Sequence, residues 1–282
     1  LVRKSRVDTD NQQERLIMID KLTLEDLYIH KRKTSYEIAE MFSVNRATVC
    51  RWLEKYEIDI NPKKRKYELI KKVPFTQEQK DLIVGTVLGD GCVAEHGGKN
   101  KSYRLLVSHC EKQKDFLMWK KSILANFVNT IRRYEDKRGN SIMYSFATIT
   151  HDEFRFYRNL FYNGNKKVIK EDLIHHIKPL SLATWFLDDG SINKNVNMRF
   201  STDCFTKNEN ELLQWFLKCN FDIRCKVCEY TRRDNKYYYL SLNKENSQKL
   251  TEIIAPYSVD CMKYKLINSS TTTCQAATND DI

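Results

Sequence analysis

The alternation of apolar and polar positions divides this 282-residue chain into a short helical stretch and two longer mixed ones. In TSYEIAEMFSVNRATVCRWLEKY (34–56), Ile38, Ala39, Phe42, Val49, Trp52 and Leu53 recur at helical spacing, which predicts two helices around a short turn. Thr34, with Glu37 three residues on, is a capping-box signal for the first helix. Arg46, Ala47, Cys50 and Arg51 fall on the outer face of the second. This is a helix-turn-helix pattern.

From Phe75 the pattern becomes mixed. Leu82, Ile83, Val84, Val87 and Leu88 predict a helix over 76–88. Strands are expected at 102–109 (SYRLLVSH) and 141–150 (SIMYSFATIT), with helices over 111–127 and 151–160. The order then recurs: a helix over 180–188, a strand near 196–202, a helix over 208–219, strands near 222–230 and 236–242, and a closing helix over 246–254. A period of roughly a hundred residues predicts two pseudo-repeats of an α+β unit. The expected boundaries are an N-terminal region with the helix-turn-helix at 1–60, a basic linker at 61–74, a first α+β domain at 75–178, a second at 179–268, and a polar, frayed tail at 269–282.

Charge narrows the partners. Lysine and arginine number 48 against 37 acidic residues, for a net charge of +11, so a phosphate backbone is the expected partner. The lysine-rich linker is suited to track phosphates. No apolar run is long enough to span a bilayer, and the opening LVRKSRVDTD lacks the apolar core of a secretory signal, so the chain reads as intracellular with no membrane partner. The nine cysteines lack a disulfide framework and are expected as free thiols; Cys219, Cys225 and Cys228 read as core thiols rather than a metal set. His109, His151, His175 and His176 lack zinc spacing. No Gly-rich nucleotide loop or serine-histidine-acid arrangement is visible.

The chemistry concentrates in LIVGTVLGDG (82–91) and SLATWFLDDG (181–190), each an apolar helix ending in Asp-Gly. Gly85 and Gly89 in the first, and Ala183 in the second, permit close backbone contact. Packed side by side, the two helices would bring Asp90 and Asp189 together, with Gly91 and Gly190 turning the chain into each first strand. Two carboxylates there repel each other, and a helix C-terminus disfavours anions, so a cation is expected between them. Hard oxygen donors suit Mg²⁺, and paired aspartates with Mg²⁺ suit phosphodiester hydrolysis.

With these two motifs, and with VSHCEKQKDFLMWK (107–120) and FSTDCFTKNENELL (200–213) after them, the chain resembles the LAGLIDADG homing endonucleases, in particular the intron-type branch with an LGDG first motif and a WFLDDG second. The resemblance covers about residues 75–260. It implies a monomer of two pseudo-symmetric LAGLIDADG domains whose antiparallel sheets form a saddle in the DNA major groove, preceded by a small all-α helix-turn-helix domain. It implies a site-specific endonuclease that cuts both strands of a long double-stranded DNA target with two or more divalent ions, Mg²⁺ or Mn²⁺ in its place. By the same analogy Asp90 and Asp189 are the metal-binding catalytic carboxylates. The family's usual acidic residue two places earlier is replaced by Leu88 and Leu187, and Asp188, standing where the first motif has Gly89, reads as a local structural residue. The resemblance also implies basic side chains from the sheets that organise water around the scissile phosphates. Lys236 is the expected catalytic lysine of the second half, and Lys137 or Arg138 its counterpart in the first.

Side chains alternate faces along a strand, so one set reaches a groove while the other packs beneath the helices. Lys101, Tyr103, Arg104, Arg199, Arg224, Arg232 and Arg233 are the expected sheet contacts to DNA, and Arg46, Ala47 and Arg51 those of the helix-turn-helix. The rival readings are an RNA maturase acting on its own intron, or a non-cleaving DNA-binding regulator on the same fold.

Overall fold

In this computed structural model, residues 19–31, 33–58, 70–97, 101–136, 141–194 and 196–267 are described. The chain divides into two compact units, Leu1–Lys72 and Val73–Ile282. Among the described residues no helix is long and apolar enough to cross a membrane.

The first unit holds α1 (Lys21–Glu25), continued as a π-helical turn over Asp26–His30, then α2 (Ser35–Met41) and α3 (Arg46–Lys55). The capping box at Thr34 forms: the Glu37 N–H donates to Thr34 Oγ1 at 3.2 Å and the Thr34 N–H donates to Glu37 Oε2 at 2.6 Å. Ser43, at φ 51°, makes the turn, and Asn45 caps α3 by accepting the Ala47 N–H at 3.0 Å. Ile38, Val49, Trp52 and Leu53 close on Leu24 and Leu27 of the additional first helix, so the core has a third wall that the apolar pattern alone did not assign. Most of the 61–74 linker lies outside the described residues, as does the 269–282 tail.

The second unit opens with α4 (Gln77–Leu88), capped by a reciprocal Thr76–Gln79 box, followed by β1 (Cys92–His96), β2 (Ser102–Cys110), α5 (Lys114–Leu124), β3 (Val128–Asp136), β4 (Ser141–Thr148), α6 (Phe154–Phe161) and a short β5 (Tyr162–Asn163) and β6 (Lys166–Lys167) hairpin. The second half repeats it: α7 (Pro179–Asp189), β7 (Gly190–Ile192), β8 (Met198–Phe200), α8 (Lys207–Phe221), β9 (Cys225–Arg232), β10 (Asn235–Leu242) and α9 (Lys244–Ile254). Both four-stranded sheets are antiparallel with the same order, β1-β2-β4-β3 and β7-β8-β10-β9. This is the α+β duplication expected from the pattern of elements.

Strand parity sorts the faces. Leu105, Val107 and His109 of β2 and Phe146 of β4 are buried beneath the helices, as are Met198, Phe200, Leu240 and Leu242 in the second half. Arg104, Leu106 and Ser108, and in the other sheet Arg199, Tyr237 and Tyr239, take the opposite, open face. Several boundaries differ from expectation. The 111–127 helix ends at Leu124 because Ala125 adopts φ 45°. The chain then enters β3, a strand not foreseen. At the far end of α8, Asp222 takes a left-handed conformation (φ 52°), which delays β9 to Cys225.

Candidate active site

The motif helices α4 and α7 pack at backbone distance. A Cβ on Gly85 would lie 2.8 Å from Thr184 Cβ and collide with the Ser181 carbonyl, so glycine is required for the approach. The facing small residues are Ser181 and Thr184 rather than Ala183. Thr184 Oγ1 donates to Leu180 O at 2.9 Å, returning its hydroxyl to its own helix.

Side-by-side packing brings both helix C-termini, with Asp90 and Asp189, to one place. Asp189 is half-buried, and its pKa is pushed up to about 7 by burial and by the charges of Asp90 and Asp188. Asp90, with its side chain 43% exposed, is also raised, by desolvation at the helix ends and by Asp188. These two carboxylates repel, as the sequence requires. Four basic or ring groups answer them. Lys167 donates to Gly89 O at 3.0 Å and Gly91 O at 3.2 Å, and Lys265 donates to Leu187 O at 2.6 Å and Asp188 O at 2.8 Å. Each lysine follows the last helix of its half and closes the open carbonyls of one motif helix, where a cation is favoured. Both charges pull the Asp189 pKa back down.

The other two groups come from the first half. Lys120 is fully buried and donates to both oxygens of Asp188, at 2.6 and 2.8 Å, and to His109 Nε2 at 3.1 Å. His109 Nδ1 lies 3.7 Å from Asp90 Oδ2. Burial, then the Lys120 charge, depresses the His109 pKa to about 3, so the ring is neutral. Asp90, His109 and Asp188 each present a donor atom within 4.8 Å of one another, a geometry able to hold a cation.

The remaining expected site residues scatter. Lys236 sits at the β9–β10 hairpin and shares the strand parity of Leu240 and Leu242, which points it to the helix side of the sheet. Its ion-pair partner is Glu229, at 2.9 Å, rather than either aspartate. Lys137 and Arg138 lie outside the described residues. Tyr103 shares the parity of Leu105 and Val107, with the Arg155 guanidinium 5.6 Å over its ring, so it too faces the helix side. Lys101 is exposed and pairs with Glu95 at 3.4 Å. Arg104 and Arg199 do take the open face, Arg199 lying 5.1 Å over the Tyr239 ring. Arg224 is exposed just before β9, its N–H donating to Asn246 Oδ1 at 2.7 Å. Arg232 shares the open-face parity of Tyr230, whereas Arg233 (φ 48°) and Asp234 (φ 61°) form the two-residue hairpin turn. Arg46, Ala47 and Arg51 are exposed on α3.

Sequence reasoning missed Lys120, Lys167 and Lys265, and with β3 it missed Arg132 and Tyr134. Arg132 pairs with Ser145 and Tyr134 with Met143, and Tyr134 Oη lies 2.8 Å from Ser108 Oγ on the open face. The cysteines are free among the described residues, but Cys219 is exposed and Cys225 and Cys228 only half-buried, so they are not the core thiols expected.

The helix ends thus offer hard carboxylate oxygens beside two open-faced sheets. Known proteins resemble this chain. The model of the LAGLIDADG DNA endonuclease family matches residues 80–250. Over 228 residues the chain is 30% identical to cytochrome b mRNA maturase bI2 of Saccharomyces cerevisiae, covering 76% of this chain and 53% of the maturase, so the chain spans about half the length of that relative. It is 29% identical over 209 residues to DNA endonuclease I-ChuI of Chlamydomonas applanata, covering 68% of this chain and 95% of that protein. The fold is that of homing endonuclease I-WcaI, solved bound to its DNA recognition sequence, with a TM-score of 0.62 at 24% identity over 73% of this chain and 91% of that one. The packed glycine-bearing helices, the duplicated sheets and the matched sequence agree: this chain belongs to the LAGLIDADG DNA endonuclease family, with an N-terminal extension ahead of the matched region.

Proposed function

We propose that the chain is a two-motif, monomeric, site-specific endonuclease that hydrolyses both strands of a long double-stranded DNA using divalent metal, with Asp90 and Asp189 as the catalytic and metal-binding carboxylates. The observation that carries this reading is the pair of repelling aspartates at the joined ends of α4 and α7, with Asp189 pushed up to about 7. The donor set fits Mg²⁺ or Mn²⁺: hard carboxylate oxygens, at helix ends that disfavour uncompensated anions. When bound, two or more such ions would supply an activated water and stabilise the attacking and leaving oxygens.

The protein residues do the positioning. Gly91 and Gly190 take the chain from each aspartate into the first strand, close against Thr86 and Phe186, where a Cβ would collide. Lys167 and Lys265 hold the last carbonyls and lower the charge penalty at Asp189. The open faces carry Arg104, Arg132 and Tyr134 in one sheet and Arg199, Tyr239, Tyr230 and Arg232 in the other, basic and aromatic side chains suited to phosphates and base edges. In domain terms we assign the helix-turn-helix to 1–60, the linker to 61–74, and the two LAGLIDADG domains to 75–178 and 179–268. The first would extend contacts beyond the cleaved core through Arg46, Ala47 and Arg51.

A second reading, intron RNA maturation, is favoured by the yeast relative being named a maturase. One experiment separates them: incubate the purified chain with a randomised duplex library, with Mg²⁺ or with chelator, and sequence the fragment ends. A staggered, Mg²⁺-dependent cut that is lost in Asp90→Asn and Asp189→Asn supports the nuclease. High-affinity binding of folded intron RNA without any cut supports the maturase.

A further inference from the structure

Gly89 and Asp188 hold the same position in the two motifs, one residue before the terminal aspartate, and they face each other across the helix pair. A Cβ on Gly89 would collide with Asp188 Cβ and lie 2.7 Å from its Oδ2. Two pseudo-equivalent side chains cannot share that space, so one motif carries glycine and the other a carboxylate. The carboxylate is then used by one half only. Asp188 belongs to the second half's helix, yet its oxygens take the Lys120 ammonium from α5 of the first half, and Oδ2 also accepts the Asp90 N–H at 3.3 Å. Both side chains of the ion pair are fully buried. Among the described residues the second half has no counterpart: counted from the helix starts Lys114 and Lys207, the place of Lys120 is taken by Leu213, equally buried but apolar.

The clustering of Asp90, His109 and Asp188 invites the assignment of Asp188 as a third metal ligand. Lys120 opposes it. Both Asp188 oxygens already carry an ammonium, and a metal ion placed on them would sit against that buried positive charge. We infer that Asp188 is a positioning residue and not a metal ligand: through its buried pair with Lys120 it holds the Asp90 turn, so the first half's carboxylate is set by the second half's helix, with no reciprocal device for Asp189 among the described residues. The inference rests on the nuclease reading only for its cleavage readout.

The test compares Asp188→Asn with the double variant Asp188→Asn/Lys120→Met in the full chain. Asparagine keeps an acceptor for the Asp90 N–H. The single change leaves a buried ammonium unpaired, and the double removes both charges. Three quantities are read: hydrogen exchange at the Asp90 amide, Mn²⁺ binding by calorimetry, and cleavage resolved by strand. In the single variant the Asp90 amide loses protection and one strand is cut at least about tenfold more slowly, leaving nicked DNA. The double variant regains amide protection and most of that rate, and binds as many Mn²⁺ ions as the unaltered protein. A double variant as slow as the single and short of one Mn²⁺ ion would make Asp188 a ligand and overturn the inference, as would equal slowing of both strands. If the unaltered protein cuts no DNA, the nuclease reading fails by itself, while amide exchange and Mn²⁺ binding still decide the role of Asp188.

Discussion

The Lys120 ammonium donates to His109 Nε2 at 3.1 Å, which fixes the histidine proton on the other nitrogen. An ammonium has no lone pair to accept with, so Nε2 must be the acceptor and Nδ1 carries the hydrogen, facing Asp90 Oδ2 at 3.7 Å. The first half's aspartate therefore has a neutral N–H beside it, beyond hydrogen-bond distance, across the working pH range. Nitrogen-15 shifts of His109 are expected to report the Nδ1–H tautomer with no titration between pH 5 and 8. Because the folded pKa is depressed to about 3 from 6.5, the stability contributed by this group is complete above 6.5 and declines as pH falls toward 3. A histidine titrating near 6.5 would refute the assignment.

Asp189 works in the opposite sense. Its folded pKa is raised to about 7 from 3.8, so the metal-free protein loses stability from this group as pH rises from about 4 through 7, where the native state must give up a proton it holds tightly. A divalent ion competes with that proton. Apparent Mn²⁺ affinity, measured by calorimetry, is expected to rise up to about tenfold per pH unit below 7 and to level off above it. A flat affinity between pH 5.5 and 7 would show that Asp189 is not a ligand.

Lys265 is 7% exposed and lies between the Leu187 and Asp188 carbonyls and the acidic centre. Lys265→Met keeps most of the volume while removing the charge that lowers the Asp189 pKa. The resulting alkaline shift separates an electrostatic role from a purely structural one: the pH–rate profile moves upward, and raising pH restores part of the lost rate. Loss of the same fraction of activity at every pH would leave only the capping role.

These lysines also mark the limit of what the chain discloses on inspection. The two motif helices, their small residues, and the convergence of Asp90 and Asp189 were legible because apolar periodicity and a duplicated Asp-Gly are local signals. Thr34–Glu37 was legible for the same reason. Lys120 was not, since lysine is almost never fully buried and its partner Asp188 is 68 residues away. Lys167 and Lys265 reach carbonyls about as distant, and backbone acceptors leave no trace in a sequence. The β3 strand was lost because VNTIRRYED interrupts its apolar alternation with charges, which the open face of a sheet tolerates. Tyr103 was given to the groove by composition, and parity with buried Leu105 reverses it.

That parity makes a prediction about DNA. Arg199 and Tyr239 lie together on the open face, whereas Tyr103 lies on the helix side. Arg199→Ala is expected to weaken binding of the cleaved duplex by about 1–3 kcal/mol if it reads a base, or to reduce the salt slope by about one if it meets only phosphate. Tyr103→Phe is expected to change neither. Titrations at two salt concentrations distinguish the cases, and a binding loss for Tyr103→Phe would contradict the face assignment.

The helix-turn-helix poses a separable question, because its exposed residues contribute little to its own stability. Arg46 donates Nε–H to Ser35 Oγ at 3.2 Å and lies 4.7 Å over the Tyr36 ring, both exposed contacts, so the Arg46→Ala part of an Arg46→Ala/Arg51→Ala double change should cost no more than about 1 kcal/mol of stability. If α3 enters a major groove, the same double change shortens the protected segment at one end of a footprint and lowers affinity, because two cationic contacts are lost. The position of the cut stays fixed if, as proposed, Asp90 just after α4 and Asp189 at the end of α7 make it. A footprint of unchanged length would remove the helix-turn-helix from DNA recognition. A displaced cut would mean that α3, rather than the paired sheets, sets the register of the enzyme on its target.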